Sequence, residues 1–395
     1  VRVVLDATAI PADLGGVGRY VAELGPRLVD EGVDLTIACQ QHAAATFAAR
    51  VPGAEVVPTA GASAGRAARL AWEQTGLPRL VRAVRADVLH SPHYTMPFAV
   101  DAARVVTLHD ATFFSSPEVH GRLKRRFFRS AIRYAVAHAD ALVAPSAATS
   151  TEVLRFTGGD PGLFHVAYHG VDRATFHAVE PIERARVAAS LGLGDQPYIA
   201  FLGTLEPRKN VPALVRGWVE AAGALGEPPA LVLAGGPGWD RAIEPAVAAV
   251  PAGLRVLRPG YLPVDDLAGY LAGAVLVAYP SLGEGFGLPV LEAMACGAAV
   301  LTSRELSLPE VGGDAAEYCG TSDVEIGAAL TSLLQDSDRR AQLSTLGVDR
   351  AAEFTWERSA RAHLVAYEAA LRHRATRRSR TAPGTSVSDA PAPGA

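Results

Sequence analysis

Only three cysteines occur among 395 residues: Cys39, Cys296 and Cys319. They are few, odd in number, far apart and without metal-ligand spacing. That excludes a disulfide framework and points to a reducing compartment. A strong charge of either sign is also missing. The net charge is −4, so the electrostatic footprint of a nucleic-acid binder is absent. No apolar run reaches the ~20 residues that a membrane span needs. The longest uncharged run, residues 267–283, is interrupted by Gly and Pro and reads as a short helix followed by a buried strand. No leader is expected, because the chain opens on the strand-like VRVVLDA. The end of the chain, from about Arg374, is polar and rich in Pro and Ser. A disordered tail is expected over 374–395.

What is present is an alternation of short apolar runs with amphipathic helices. VRVVLDA, DLTIACQ, ADVLHSP, ARVVTLHD and ALVAPSAAT read as strands of a first unit. PYIAFLGTLEP, ALVLAGGPG, LRVLRPGYL, VLVAYPS and AAVLTSRE repeat the pattern. Buried parallel sheets covered on both faces have this signature. The expected fold is α/β, with two doubly wound, Rossmann-like domains at 1–175 and 176–356. A last helix over 357–373 follows. In such sheets ligands bind beyond the carboxyl ends of strands and in the cleft between domains. That rule selects His90, His93, His109, Asp110, Ser146, Glu206, Arg208, Lys209 and Glu284.

Three loops carry the chemistry. GGVGRY, Gly15 to Tyr20, follows the first strand and opens a helix whose amides suit a phosphate. Val21 stands where the dinucleotide fingerprint needs its third glycine, and no acid ends the second strand, which argues against a nicotinamide cofactor. GTLEPRKN places Arg208 and Lys209 together. Such a pair can fork and neutralise phosphate oxygens, although an isolated pair on a turn is more often simply solvated. GEGFGLPVLEAMACG sets Glu284 on a glycine loop and Glu292 on the helix it opens. Carboxylates there suit sugar or ribose hydroxyls. The plainer reading makes Glu292 a helix-dipole partner and Glu284 a loop acid. THD ends a strand with His109 facing the cleft, where it could bond a reacting sugar or handle a proton.

Two further features have bland readings. Residues 121–134 hold six basic residues, no acid, and Phe127 and Phe128. The helix is either interfacial, meeting anionic lipid, or it turns Phe127, Ile132 and Val136 inward and solvates its basic face. Asp336 to Asp338, DSD, resembles a metal-binding triplet but sits between helices, where Ser337 or Asp338 reads as an N-cap.

Taken together these motifs resemble the glycosyltransferases of family 4, retaining enzymes of GT-B fold. The resemblance runs from LDATAI…GGVGRY through THD, HGVD, GTLEPRKN and GEGFGLPVLEAMACG to FTWERSA. It implies that Arg208 and Lys209 hold the donor diphosphate, with Gly16 approaching from the first domain. Glu284, with Gly285, Phe286 and Gly287, would hold the donor sugar, and Glu292 the ribose. His109 would stand beside the anomeric centre. Tyr261 and Leu262 fall where the family contacts the base. His93, Tyr94 and Asp110 would lie on the acceptor side. The last helix would cross back to the first domain. Nucleotide sugar is then a co-substrate, and neither a cofactor nor a metal is needed. The acceptor would be a hydroxyl of a glycan, a lipid-linked sugar or a small molecule. GTLEPRKN and LDATAI look most like bacterial mannosyltransferases of polysaccharide synthesis, which favours GDP-mannose. UDP-glucose or UDP-N-acetylglucosamine is the alternative donor. A nucleotide-sugar 2-epimerase or a non-catalytic nucleotide-sugar binder is the alternative class. The expected location is cytoplasmic, peripheral at the membrane if helix 121–134 is interfacial.

Overall fold

A computed structural model gives the protein's structure, described over residues 1–10, 15–59, 65–115, 117 and 121–381. The first sheet has seven strands: β1 (Arg2–Asp6), β2 (Asp34–Gln40), β3 (Glu55–Thr59), β4 (Val88–Ser91), β5 (Ala103–Thr107), β6 (Ala141–Ala144) and β7 (Phe164–Val166). The second has six: β8 (Tyr198–Leu202), β9 (Ala230–Ala234), β10 (Val256–Gly260), β11 (Leu276–Tyr279), β12 (Val300–Ser303) and β13 (Glu317–Cys319). The orders are 3-2-1-4-5-6-7 and 10-9-8-11-12-13. Neighbouring strands pair in parallel in both sheets. Strands such as ARVVT and ALVLA are buried along their whole length, as sheets covered on both faces require. The chain reverses its order between β1 and β4, and again between β8 and β11. These switch points place the loops after the strands at one open edge of each sheet.

Between residues 42 and 85, where the sequence carries no strong pattern, the described residues include the helix Ala44–Arg50, strand β3 and the helix Arg66–Ala83. The last helix, Trp356–Thr381, packs Trp356, Ala360, Ala366, Tyr367 and Ala370 into the first domain's core. Burying side chains as large as Trp356 and Tyr367 contributes roughly 1.5–3 kcal/mol each, and each alanine methyl about 0.8 kcal/mol. The helix therefore packs against the first domain.

Three local expectations need correction. The helix does not stop at residue 373. It continues to Thr381, because Arg374 bonds the Ala102 carbonyl and Asp101, and Arg377 bonds Asp140. Residues 382–395 of the expected tail lie outside the described residues. In the basic helix, now bounded at Arg122–His138, Ile132 and Val136 are buried but Phe127 is 39% exposed. Phe128 turns inward instead and meets His93, Tyr94 and Phe113. In DSD the cap is Asp336, which accepts from the Arg339 amide at 2.8 Å. It therefore serves the helix Ser337–Ala352 as neither Ser337 nor Asp338 does.

Candidate active site

The carboxyl ends of the two sheets face each other across a cavity of about 420 Å³. The first domain contributes Gly16, His93, Tyr94, His109, Asp110, Lys124 and His169 to its wall. The second contributes Glu206, Arg208, Lys209, Trp239 and the stretch Glu284–Pro289.

Arg208 and Lys209 lie on a turn after β8 that is fixed by Asn210. This residue is in the left-handed region, φ 59°, and its side-chain Nδ2 donates to the carbonyls of Pro280 and Thr321. The turn is thus pinned to the loop after β11. In that loop the Ser307 hydroxyl reaches the carbonyls of Glu284 and Phe286, both at 2.8 Å. Gly287 has φ +107°, and a Cβ there would lie 2.9 Å from Leu308. A side chain is doubly disfavoured at this position. The helix it caps is Leu288–Ala295, with Pro289 in its first turn, where the missing N–H costs little.

Glu284 stands at the centre and is buried. Its carboxylate accepts from Lys209 Nζ at 2.7 Å, Ser281 Oγ at 2.8 Å, Tyr279 OH at 2.9 Å, and Arg208. Burial alone would raise its pKa, but Arg208 and Lys209 outweigh it and hold the group at about 2. Burial pushes Lys209 down against the pull of Glu284. Arg208 also bonds Glu206 at 2.7 Å and the Gly283 carbonyl at 2.8 Å. Two cations and two carboxylates therefore balance within one polar cluster.

Opposite them, His109 Nε2 donates to the Pro92 carbonyl at 2.7 Å. That bond leaves Nδ1 unprotonated, an acceptor on a ring lining the cavity. Burial lowers the pKa of His109, and it pushes His93 down to about 4, so both are neutral near pH 7. Tyr94 has φ 53°, strained for a bulky residue, beside Asp110. Asp110 itself accepts from the Thr112 amide and hydroxyl.

Behind His109 a buried polar chain runs to the last helix. His363 Nδ1 faces the Ser359 carbonyl at 2.7 Å and must carry the proton there. Its Nε2 then accepts from Tyr20 OH at 2.6 Å. Tyr20 in turn accepts from Thr107 at 3.1 Å, Thr107 from His90 Nε2 at 2.8 Å, and His90 Nδ1 from Tyr367 at 2.9 Å. One proton ordering satisfies all five groups, and it requires both imidazoles to be neutral.

The domains also touch directly. A Cβ on Gly285 would stand 1.8 Å from the His109 carbonyl oxygen. Ser146 and Thr149 donate to the Gly285 carbonyl at 2.7 and 3.0 Å. Glu310 accepts from the amides of Ala147 and Ala148 and from Tyr168. Glu292, buried on the helix after the loop, bonds Arg19 Nη2 at 2.5 Å.

The structure thus brings together His93, Tyr94, His109, Asp110, Gly16, Arg208, Lys209, Glu284, Gly285, Phe286 and Gly287 around one cavity. Glu292 lies one turn beyond Leu288 and outside the lining. Tyr261, 70% exposed, and Leu262 also lie outside it, and the aromatic residue of the second domain's outer loops that does line it is Trp239. Phe286 turns its ring to His169 and Phe354. Sequence reading missed Arg19, Tyr279, Ser281, Ser307 and Glu310. Arg19 and Ser281 sit inside or beside motifs already singled out. Among the described residues no group of three or more His, Cys, Asp or Glu could hold a metal ion.

Comparison with known proteins adds the following. Residues 14–175 match the Glycosyltransferase Family 4 model and 184–347 match Glycosyl transferases group 1. The chain is 29% identical over 388 residues to the O-antigen chain mannosyltransferase B of Escherichia coli, covering 93% of this chain and 99% of that one. It is 30% identical over 409 residues to the D-inositol 3-phosphate glycosyltransferase of Salinispora tropica, covering 92% and 83%. Among solved structures, Anabaena HepE in complex with UDP and glucose superposes with a TM-score of 0.72 at 17% identity, covering 96% of this chain and 99% of that one. WaaG, a glycosyltransferase of lipopolysaccharide biosynthesis, gives 0.69 at 15% identity, covering 89% and 95%.

Proposed function

This chain belongs to glycosyltransferase family 4, whose members are nucleotide-sugar-dependent enzymes of GT-B fold, and we propose that it moves mannose from GDP-mannose to a hydroxyl of a glycan or lipid-linked acceptor with retention. The observation that carries the site reading is the cluster of Arg208, Lys209 and Glu284 facing His109 across the cavity. An arriving diphosphate takes over Arg208 and Lys209, with Gly16 approaching from the other domain. Glu284, released from part of its pairing, then accepts from the sugar hydroxyls beside the amides of Gly285, Phe286 and Gly287. Glu292 takes the ribose, and the loop at Tyr261 and Leu262 takes the base. Charge developing on the leaving diphosphate meets two fixed cations, the electrostatic contribution that dominates many enzymes. His109, neutral, offers an acceptor to the donor sugar, and His93, Tyr94 and Asp110 face the acceptor. Closure of two domains on the donor excludes water and limits hydrolysis.

GDP-mannose is favoured by the O-antigen mannosyltransferase relative, which matches almost end to end. A UDP-linked glucose or N-acetylglucosamine is the second reading, since the similarly folded Anabaena HepE was solved in complex with UDP and glucose. Peripheral contact with the cytoplasmic face of a membrane is supported by the helix Arg122–His138. Leu123 is 84% exposed there beside the exposed Arg122, Lys124 and Arg126. Among the described residues no helix is long and apolar enough to cross a membrane.

The test is release of nucleoside diphosphate from each of the three donors. Lys209→Ala and Glu284→Ala are each expected to lower kcat/KM by about 10²–10³. Unchanged turnover in both would sink the site assignment.

A further inference from the structure

We propose that Arg19 is a positioning residue for the donor: from the first domain it holds Glu292 of the second, so that closing the cleft completes the ribose contact. The inference rests on the reading of Glu292 as the ribose ligand. Three observations carry it. Arg19 is the only side chain, among the described residues, that bonds Glu292, and it uses Oε1 alone. A carboxylate has about four acceptor sites, so Oε2 and the spare lone pair of Oε1 remain for a vicinal diol. Arg19 also belongs to the same helix turn as Gly16 and Val17, which line the cavity. The Phe176 ring, in the stretch between β7 and β8, lies 5.6 Å from its guanidinium and backs it. An orientation supplied from across the cleft exists only while the domains are together. Ribose binding and closure are then linked, and each favours the other by the same factor.

Calorimetry on the full chain distinguishes this from a merely structural ion pair. The probes are GDP and UDP, their 2′,3′-dideoxy counterparts, and inorganic pyrophosphate. In the wild type, losing the hydroxyls is expected to weaken binding by roughly tenfold, as for hydrogen bonds to a charged group. In Arg19→Met, GDP or UDP binding weakens by about tenfold and the hydroxyl penalty falls below about twofold. Pyrophosphate binding stays unchanged. Scattering is expected to show nucleotide-induced compaction in the wild type and not in Arg19→Met. Arg19→Lys, which keeps the charge on a shorter side chain without the planar guanidinium, gives an intermediate penalty and serves if Arg19→Met does not fold. An undiminished hydroxyl penalty in the variants overturns the role of Arg19 while leaving the nucleotide site standing. A wild type that binds neither GDP nor UDP fails earlier and removes both readings.

Discussion

Glu284 and Glu292 come from one short motif, both are buried, and they are held in opposite ways. Glu284 is bonded four times from within its own domain, by Arg208, Lys209, Tyr279 and Ser281. Glu292 has one side-chain partner among the described residues, and that partner belongs to the other domain. The first arrangement is a preorganised site that exists whether the cleft is open or closed. The second exists only when it is closed. The same residue type, eight positions on, is thus fixed within one domain in one case and tied across the cleft in the other.

Removing each carboxylate should expose this difference in stability. Glu284→Ala leaves Arg208 and Lys209 to share the single carboxylate of Glu206 in a desolvated cluster, and should cost about 3–5 kcal/mol in urea unfolding. Glu292→Ala leaves Arg19, whose side chain is 42% exposed, free to reach water. Its cost should stay within about 1 kcal/mol. Equal losses would mean that Glu284 is not the self-contained centre described here.

A smaller effect is expected from Gly285→Ala. Here the first domain's His109 carbonyl occupies the space of a Cβ, so the methyl group pushes the domains apart without touching the Glu284 carboxylate. A cost of about 1–3 kcal/mol is typical of such overpacking. It should fall on the closed arrangement alone, seen as a larger radius of gyration with nucleotide bound and a lower kcat. Ordinary compaction in this variant would show that the contact at Gly285 does not limit closure.

How much of this was legible in the sequence follows the same division. The strands, the RK pair, Glu284 and His109 were readable because each depends on neighbours in sequence and on one end of one sheet. Arg19 was not read as a site residue, because its partner is 273 positions away and the contact depends on how two domains meet. Glu310 and the Ser146–Gly285 bond were missed for the same reason. Phe127 and Phe128 differ by about 100° around a helix, so composition could not say which faces inward. The helix past Arg374 looked like a polar tail because its ion-pair partners, Asp101 and Asp140, lie in another part of the chain.

Acid should separate the two regions by the mildest change. Burial holds His363 at about 4 and His90 well below its ordinary value. The unfolded chain takes up those protons near pH 6.5, and the folded chain does not. Their contribution is therefore complete above about pH 6.5 and declines as pH falls toward 4. For His363 alone the loss between pH 7 and 5.5 is on the order of 1 kcal/mol. Glu284 behaves differently. With a folded pKa of about 2, its contribution is complete above the ordinary value near 4.5 and is lost only as pH falls through 2. Between pH 6.5 and 5, stability should thus fall through the histidine chain that anchors the last helix, while the Arg208–Lys209–Glu284 cluster stays ionised. Hydrogen exchange across that range should quicken first in the helix Trp356–Thr381 and around Tyr20. Earlier loosening of the loop at 281–287 would place the acid-sensitive groups in the wrong domain.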